Sequence, residues 1–315
     1  TCTKRGLAHC QASLLSPISL PMPLTLQSDS GRLEKVIVQH ARDAFAATAK
    51  LASEWQPLNF TACPDFAKAQ AESDAFIALL RRLGAEVLEL PRNDAQSIDS
   101  IYVRDAGVVC DRGLILCSMG KPTRRGEPAA LRRAAEAWDL PIAGEITGNG
   151  RLEGGDVAWV DPRTLAVARG YRTNDEGIHQ LRALLGDCID ELVVVPLPHY
   201  RGPSDVFHLM SVYSPLAPGL ALVHSPLMPI PFRELLLAKG TAFVEVAPNE
   251  FDTLGCNALA VAPHVCLLAA GNPLTKRRLL DAGCEVHEFA GEEIARKGGG
   301  GPTCLTRPLW REGLM

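Results

Sequence analysis

One unit recurs along this chain: a helix with leucines on one face, a glycine, then a short apolar strand. It occurs at Leu79-Leu80-Arg81-Arg82-Leu83-Gly84 leading to Val87, and at Leu181 to Gly186 leading to Leu192-Val193-Val194-Val195. It returns at Leu235 to Gly240 leading to Phe243-Val244, and at Leu279 to Gly283 leading to Val286. Each glycine stands where a helix would end in the left-handed conformation, which glycine adopts without a Cβ clash. A fifth helix, about residues 127–138, runs into Leu140-Pro141-Ile142 without that glycine. Five helix–strand units spaced roughly 40–60 residues apart read as repeated modules. A doubly wound α/β sheet produces the same alternation. Further short strands are expected at Ile101–Val109, Leu114–Ser118, Asp156–Val160 and Leu165–Ala168. More than one strand per helix favours modules of several strands.

With 315 residues, 47% hydrophobic and 22% charged, the chain can bury a large core. A net charge of −4, with no Lys/Arg stripe interleaved with aromatics, speaks against a nucleic-acid partner. No apolar run reaches the roughly 18–20 residues that a membrane span requires. The ten cysteines are dispersed and form no CxxC pair. Cys110, Cys117, Cys188, Cys266 and Cys284 sit among Val, Leu and Ala, where a reduced cysteine packs as a small hydrophobe. That pattern implies a reducing, cytoplasmic compartment and gives no zinc ligand cluster. Residues 1–31 begin without methionine, carry Lys4, Arg5 and His9, and contain no acid before Asp29. They read as an extension, disordered or targeting to an organelle, ahead of one catalytic domain over 32–315.

Near the C-terminus, Lys297 is followed by four glycines and then Pro302-Thr303-Cys304. Such a run lets backbone approach a ligand closely, and a cysteine delivered by it is a candidate nucleophile or a small buried residue beside a turn. Asp99-Ser100-Ile101-Tyr102-Val103-Arg104-Asp105 reads as a strand with acids at both ends; Asp105 suits a site, or a strand-end ion pair with Arg104. Glu153-Gly154-Gly155-Asp156 aims two carboxylates before an apolar strand, and a hairpin turn alone does not need Glu153. His208, in Val206-Phe207-His208-Leu209-Met210, reads as part of an alternating strand on which it shares a face with Met210, either as a core residue or as an acid/base group. Arg124 and Arg172 each precede a helix, with Thr123 or Asn174 as caps, and a guanidinium there can fork a carboxylate. No dinucleotide or phosphate-loop motif is present. A thiol, a histidine, carboxylates and two arginines together suit substitution at the carbon of an arginine-like substrate.

These motifs, in this order over roughly residues 33–309, resemble the guanidino-modifying superfamily of dimethylargininases, arginine deiminases and amidinotransferases. Within it, Asp99-Ser100-Ile101-Tyr102-Val103, Arg124-Arg125-Gly126-Glu127 and Arg172-Thr173-Asn174 are most similar to the short, bacterial-type dimethylargininases. Pro64-Asp65-Phe66-Ala67-Lys68-Ala69 and Asn272-Pro273-Leu274-Thr275-Lys276-Arg277 resemble the family's first and last helix starts. The resemblance implies an α/β fold, a five-bladed propeller (pentein) of ββαβ modules with a central site. It implies Cys304 as nucleophile, His208 as general acid/base, and Glu153 holding both the guanidinium and His208. Asp105 would hold the guanidinium, Asp99 and Asp156 would add to the polar wall around the substrate, and Arg124 and Arg172 would bind the α-carboxylate. Two departures bear on the substrate. Arg104 stands where dimethylargininases usually carry a second acid. Met210 replaces an acid of the deiminases and amidinotransferases, which makes the pocket less polar and suits a methylated nitrogen. The implied activity is hydrolysis of a dimethylarginine-type substrate to citrulline and dimethylamine, without metal or organic cofactor. Arginine deimination and amidino transfer are the alternatives, a non-catalytic ribosome-binding propeller a remoter one, and a homodimer is open.

Overall fold

The computed structural model describes residues 27–312. The described chain forms five three-stranded sheets, each built to one plan. In the first module β1 (Leu33–Val38) leads through the helix Phe66–Arg82 to β2 (Glu86–Glu89), parallel to β1. The second has β3 (Gly107–Cys110), β4 (Gly113–Leu116), the helix Glu127–Ala137 and β5 (Ile142–Glu145). The third has β6 (Val157–Asp161), β7 (Thr164–Arg169), the helix Asp175–Leu185 and β8 (Glu191–Pro196). In the fourth, β9 (Tyr213–Ala217) and β10 (Leu220–Val223) precede the helix Ile230–Ala238 and β11 (Ala242–Glu245). The fifth holds β12 (Ala258–Ala262), β13 (Val265–Ala269), the helix Pro273–Asp281 and β14 (Glu285–Phe289). A last strand, β15 (Arg307–Arg311), pairs antiparallel with β1, with Ile37 opposite Arg307, and so completes the first sheet from the other end of the chain.

In every sheet the first two strands are antiparallel and the helix returns the chain to a third strand parallel to the middle one. A single such sheet has no partner for its faces, and the structure solves this by packing neighbours together. Five apolar clusters result, each shared between adjacent modules. One joins Val108, Ile115 and Cys117 of the second module to Val157, Leu165 and Leu181 of the third. Another joins Leu33 and Leu80 of the first to Leu259 and Leu267 of the fifth. The modular reading is therefore correct, and the doubly wound sheet is not found.

The glycines expected to end helices do so in left-handed conformations: Gly84 (φ 102°), Gly186 (52°), Gly240 (80°) and Gly283 (81°). Where the fifth helix lacks one, Asp139 takes the left-handed turn at φ 53°. Asn174 caps the helix Asp175–Leu185 by accepting the Gly177 N–H, whereas Thr123 caps nothing.

Three expectations change. Residues Ile98–Ile101 and Val103–Ala106 form two 3-10 turns and not a strand, so Asp105 precedes β3 and does not end it. Gly154–Asp156 is likewise a 3-10 turn that enters β6. His208 starts a fourth such turn, Leu209–Ser211, and lies on no strand. Part of the expected extension packs against the domain. Gln27, Ser28, Asp29 and Ser30 are buried, and Gln27 donates to the carbonyls of Pro162 (2.6 Å) and Cys188 (2.8 Å) in the third module. The rest of the expected extension, residues 1–26, lies outside the described residues. Among the described residues no helix is long and apolar enough to cross a membrane.

Candidate active site

The strands β3, β6, β9 and β15 are each entered through a turn or loop carrying one of the expected polar side chains. Asp105, Glu153, His208 and Cys304 thus come together although up to 199 residues of sequence separate them. A cleft of about 390 Å³ is lined by His208, Met210 and Cys304, and opens past Tyr200, Phe207 and Lys297. A smaller recess beside it is lined by Asp99, Asp105, Arg172 and Cys304.

The glycine run is required by close packing. Gly298 and Gly300 press on Tyr102, and Gly301 lies where a Cβ would come within 2.5 Å of Asn257 Oδ1. Gly299 adopts φ +76°. The loop delivers Cys304 with 9% of its surface exposed, and its carbonyl accepts the Arg104 N–H at 3.2 Å. Burial and the nearby Asp105 carboxylate push the Cys304 thiol above its usual value, against the contact with the Thr303 hydroxyl, the Arg104 charge and the Gly301 N–H. Among the described residues all eight cysteines are free thiols.

His208 is buried, with Nε2 2.8 Å from Glu153 Oε2 and Nδ1 3.8 Å from Asp105 Oδ1. Burial opposes its charge, but Asp105, Asp156 and Glu153 outweigh that and push it up to about 9. The turn holding the ring is fixed at both ends: Ser211 Oγ accepts the His208 N–H, and Asp156 accepts the Leu209 N–H at 3.2 Å.

Glu153 is wholly buried. Its Oε1 accepts the backbone N–H groups of Gly120 (3.0 Å) and Lys121 (3.2 Å), while Oε2 faces His208 and Arg172 Nη1 (3.2 Å). Burial disfavours the carboxylate, yet the His208 bond and the charges of Arg172, His208 and Arg124 hold it well below the usual range. Asp105 accepts the Gly155 N–H at 2.9 Å, and Asp99 pairs with Lys121 at 2.6 Å. Asp105, Glu153 and His208 present ligand atoms within 4.8 Å of one another, a donor set that could hold a metal ion, though their charges are already met by Arg124 and Arg172.

Arg124, Asp156 and Arg104 are each held by partners within the protein. Arg124 spends four of its five N–H groups within the protein: two on Glu127, one on Asp105 and one on the Tyr102 carbonyl. One N–H of the fork is left over; the side chain lines the recess together with Arg172 while it holds Asp105. Asp156 is fully buried on Thr173 Oγ1 (2.6 Å) and the Leu209 N–H, lines neither the cleft nor the recess, and props the His208 turn. Arg104 does not turn into the cleft. It reaches Asp29 at 2.7 Å in a buried cluster with Arg307 and Arg311, whose charges hold Asp29 low despite its burial. Arg172 does line the recess, tied to Glu153 and 3.5 Å from the Asp205 carbonyl.

Reading the sequence missed Lys121, the partner of Asp99, and Asn257, which lies 3.6 Å from the Cys304 sulfur. The signal for Asn257 was its place directly before an apolar strand, as with the other site residues.

Residues 64–311 match the sequence profile of the family described as "N,N dimethylarginine dimethylhydrolase, eukaryotic". The chain is 31% identical over 222 residues to the N(G),N(G)-dimethylarginine dimethylaminohydrolase of Streptomyces coelicolor, covering 70% of this chain and 78% of that one. The fold is similar to that of the Pseudomonas aeruginosa enzyme of the same name, solved as a cysteine-to-serine variant complexed with citrulline. There the TM-score is 0.71 at 22% identity, with 87% and 98% of the chains covered. An amidinotransferase of saxitoxin biosynthesis from Microseira wollei is also similar, with a TM-score of 0.74 at 17% identity and coverage of 93% and 98%.

Proposed function

Because the chain belongs to the dimethylarginine dimethylaminohydrolase family, we propose that it hydrolyses the substituted C–N bond of a dimethylarginine-type substrate, releasing citrulline and dimethylamine. The observation that carries this reading is the meeting of the Cys304 thiol and the carboxylate-bound His208 at one cleft with an apolar wall at Met210, with Asp105 in the recess beside it.

The substrate's guanidinium enters beside Asp105 and Glu153, carboxylates that attract a cation. Its arrival next to Cys304 Sγ offsets the carboxylate field that raises the thiol, so binding itself favours the thiolate. The sulfur attacks the guanidinium carbon and a C–S bond forms. His208, held as an imidazolium, gives its proton to the departing dimethylamine as the C–N bond breaks. Neutral His208 then takes a proton from water attacking the same carbon. The C–S bond breaks, the thiolate returns, the oxygen stays in citrulline, and its remaining proton passes to solvent, where the released dimethylamine takes one up. Arg172 receives the α-carboxylate in the recess, and Arg124 acts through Asp105. Met210 faces a methylated nitrogen, which has no N–H to pair with an acid.

The test is product analysis after incubation with asymmetric dimethylarginine, arginine and agmatine. Citrulline with dimethylamine from the first is expected. Citrulline with ammonia from arginine in preference would make the chain a deiminase. Turnover that needs a glycine-like acceptor would make it a transferase.

A further inference from the structure

The strands β3, β6, β9, β12 and β15 hold equivalent places in the five sheets. The segments entering four of them deliver Asp105, Glu153, His208 and Cys304. The same place before β12 holds Asn257, to which the chemistry above gives no task. It is 6% exposed and lines the cleft with His208 and Cys304. Its Nδ2 lies 3.6 Å from Cys304 Sγ. Its Oδ1 accepts both the backbone N–H (3.0 Å) and the hydroxyl (2.9 Å) of Thr303. Those two bonds decide which way the carboxamide faces: the oxygen must meet the Thr303 donors, so the N–H₂ must meet the sulfur.

We propose that Asn257 is a further catalytic residue, whose side-chain N–H donates to Cys304 Sγ and stabilises the thiolate in line with the substrate carbon. This rests on Cys304 being the nucleophile, and not on which guanidine is accepted. The groups that face the sulfur explain why a neutral donor is needed. Asp105, from the segment before β3, opposes a thiolate, and Arg104 favours it; the Gly301 N–H is a neighbouring donor, the Thr303 hydroxyl is spent on Asn257, and His208 lies across the cleft. Asp105 must stay ionised to attract the guanidinium. A lysine or arginine at 257 would counter Asp105 but repel the same cation. An amide N–H strengthens as the sulfur ionises and repels nothing.

The experiment follows alkylation of Cys304 in the full chain by iodoacetamide against pH, without substrate, with the modified peptide quantified by mass spectrometry. In Asn257→Leu the midpoint should rise by about one unit, so that labelling well below it slows about tenfold. The plateau at high pH should hold. A residue that only anchors the loop would change the plateau and leave the midpoint, and that result overturns the proposal. Should the Leu variant not fold, the unmutated protein answers: the Asn257 side-chain amide signal in ¹⁵N NMR should titrate with the midpoint of alkylation, and a signal indifferent to it overturns the proposal. A Cys304 that labels at no pH overturns both this assignment and the nucleophile. An unchanged midpoint in an enzyme of undiminished turnover overturns this assignment alone.

Discussion

Replacing Glu153 by glutamine keeps the side chain's shape and removes one charge and one acceptor. In the native site Oε1 receives two backbone N–H groups, and Oε2 receives His208 and Arg172. A carboxamide has one oxygen, so in either orientation its N–H₂ is driven against two donors. The backbone amides cannot turn away, so the oxygen stays with them and the N–H₂ faces His208. His208 can meet it only as a neutral ring with a bare Nε2. Its proton affinity, now pushed up to about 9, should therefore fall below the ordinary value of about 6.5. Linkage gives the sign. A histidine raised in the folded state contributes stability that is whole below about pH 6.5 and is lost as pH rises through about 9. The span corresponds to about 3 kcal/mol, in line with the roughly 3–5 kcal/mol lost when one partner of a buried pair is removed. The stability gap between native chain and Glu153→Gln should thus be about 3 kcal/mol near pH 6.5 and shrink toward pH 9, a window in which Glu153, held low, stays ionised. Urea unfolding at several pH values measures the gap, and ¹³C NMR of the histidine rings measures the titration. A His208 that still titrates near 9 in the variant, or a gap flat across that window, would refute the reasoning. Turnover should fall at least a hundredfold, since the acid for the leaving amine is gone.

Met210→Asp should shift preference toward unmethylated arginine, because a carboxylate pairs with a free NH₂ but meets only methyl on the substituted nitrogen. An unpaired buried polar group costs about 1–3 kcal/mol, so the ratio of kcat/KM values should move about tenfold or more; Arg104, turned away onto Asp29, does not mask the effect. Arg172→Lys should raise KM about tenfold through loss of one charge-assisted bond of the fork, and agmatine, without a carboxylate, should be a poor substrate; good agmatine turnover removes that role. Arg124→Lys should lower kcat more than it raises KM, because its bonds go to Asp105, Glu127 and the Tyr102 carbonyl; a pure KM effect would place it on the substrate. Asp29→Asn leaves Arg104, Arg307 and Arg311 without their buried carboxylate and should cost about 3–5 kcal/mol in denaturant unfolding, and a loss under 1 kcal/mol would contradict the charge account.

Repetition was legible in the sequence because it rests on local rules. Leucine spacing builds each helix, and Gly84, Gly186, Gly240 and Gly283 end four of them, since only a residue without Cβ turns left-handed cheaply. The glycine run before Cys304 was legible for a related reason: backbone packed against Tyr102 and Asn257 tolerates no side chain. What failed was the conformation of the segments holding Asp105 and His208. Their alternating apolar pattern imitates strands, but they lie where the modules meet, and side chains from elsewhere satisfy their backbone, as Asp156 does for Leu209. The division of labour among polar residues was also beyond reach. Asp105 and Arg124 are 19 residues apart, Arg104 and Asp29 are 75 apart, and Asn257 and Cys304 are 47 apart. A sequence shows that such groups exist and how far along the chain they stand. Which charge meets which, and so which arginine is left for a ligand, is decided only when the ring closes and burial makes every unpaired donor costly.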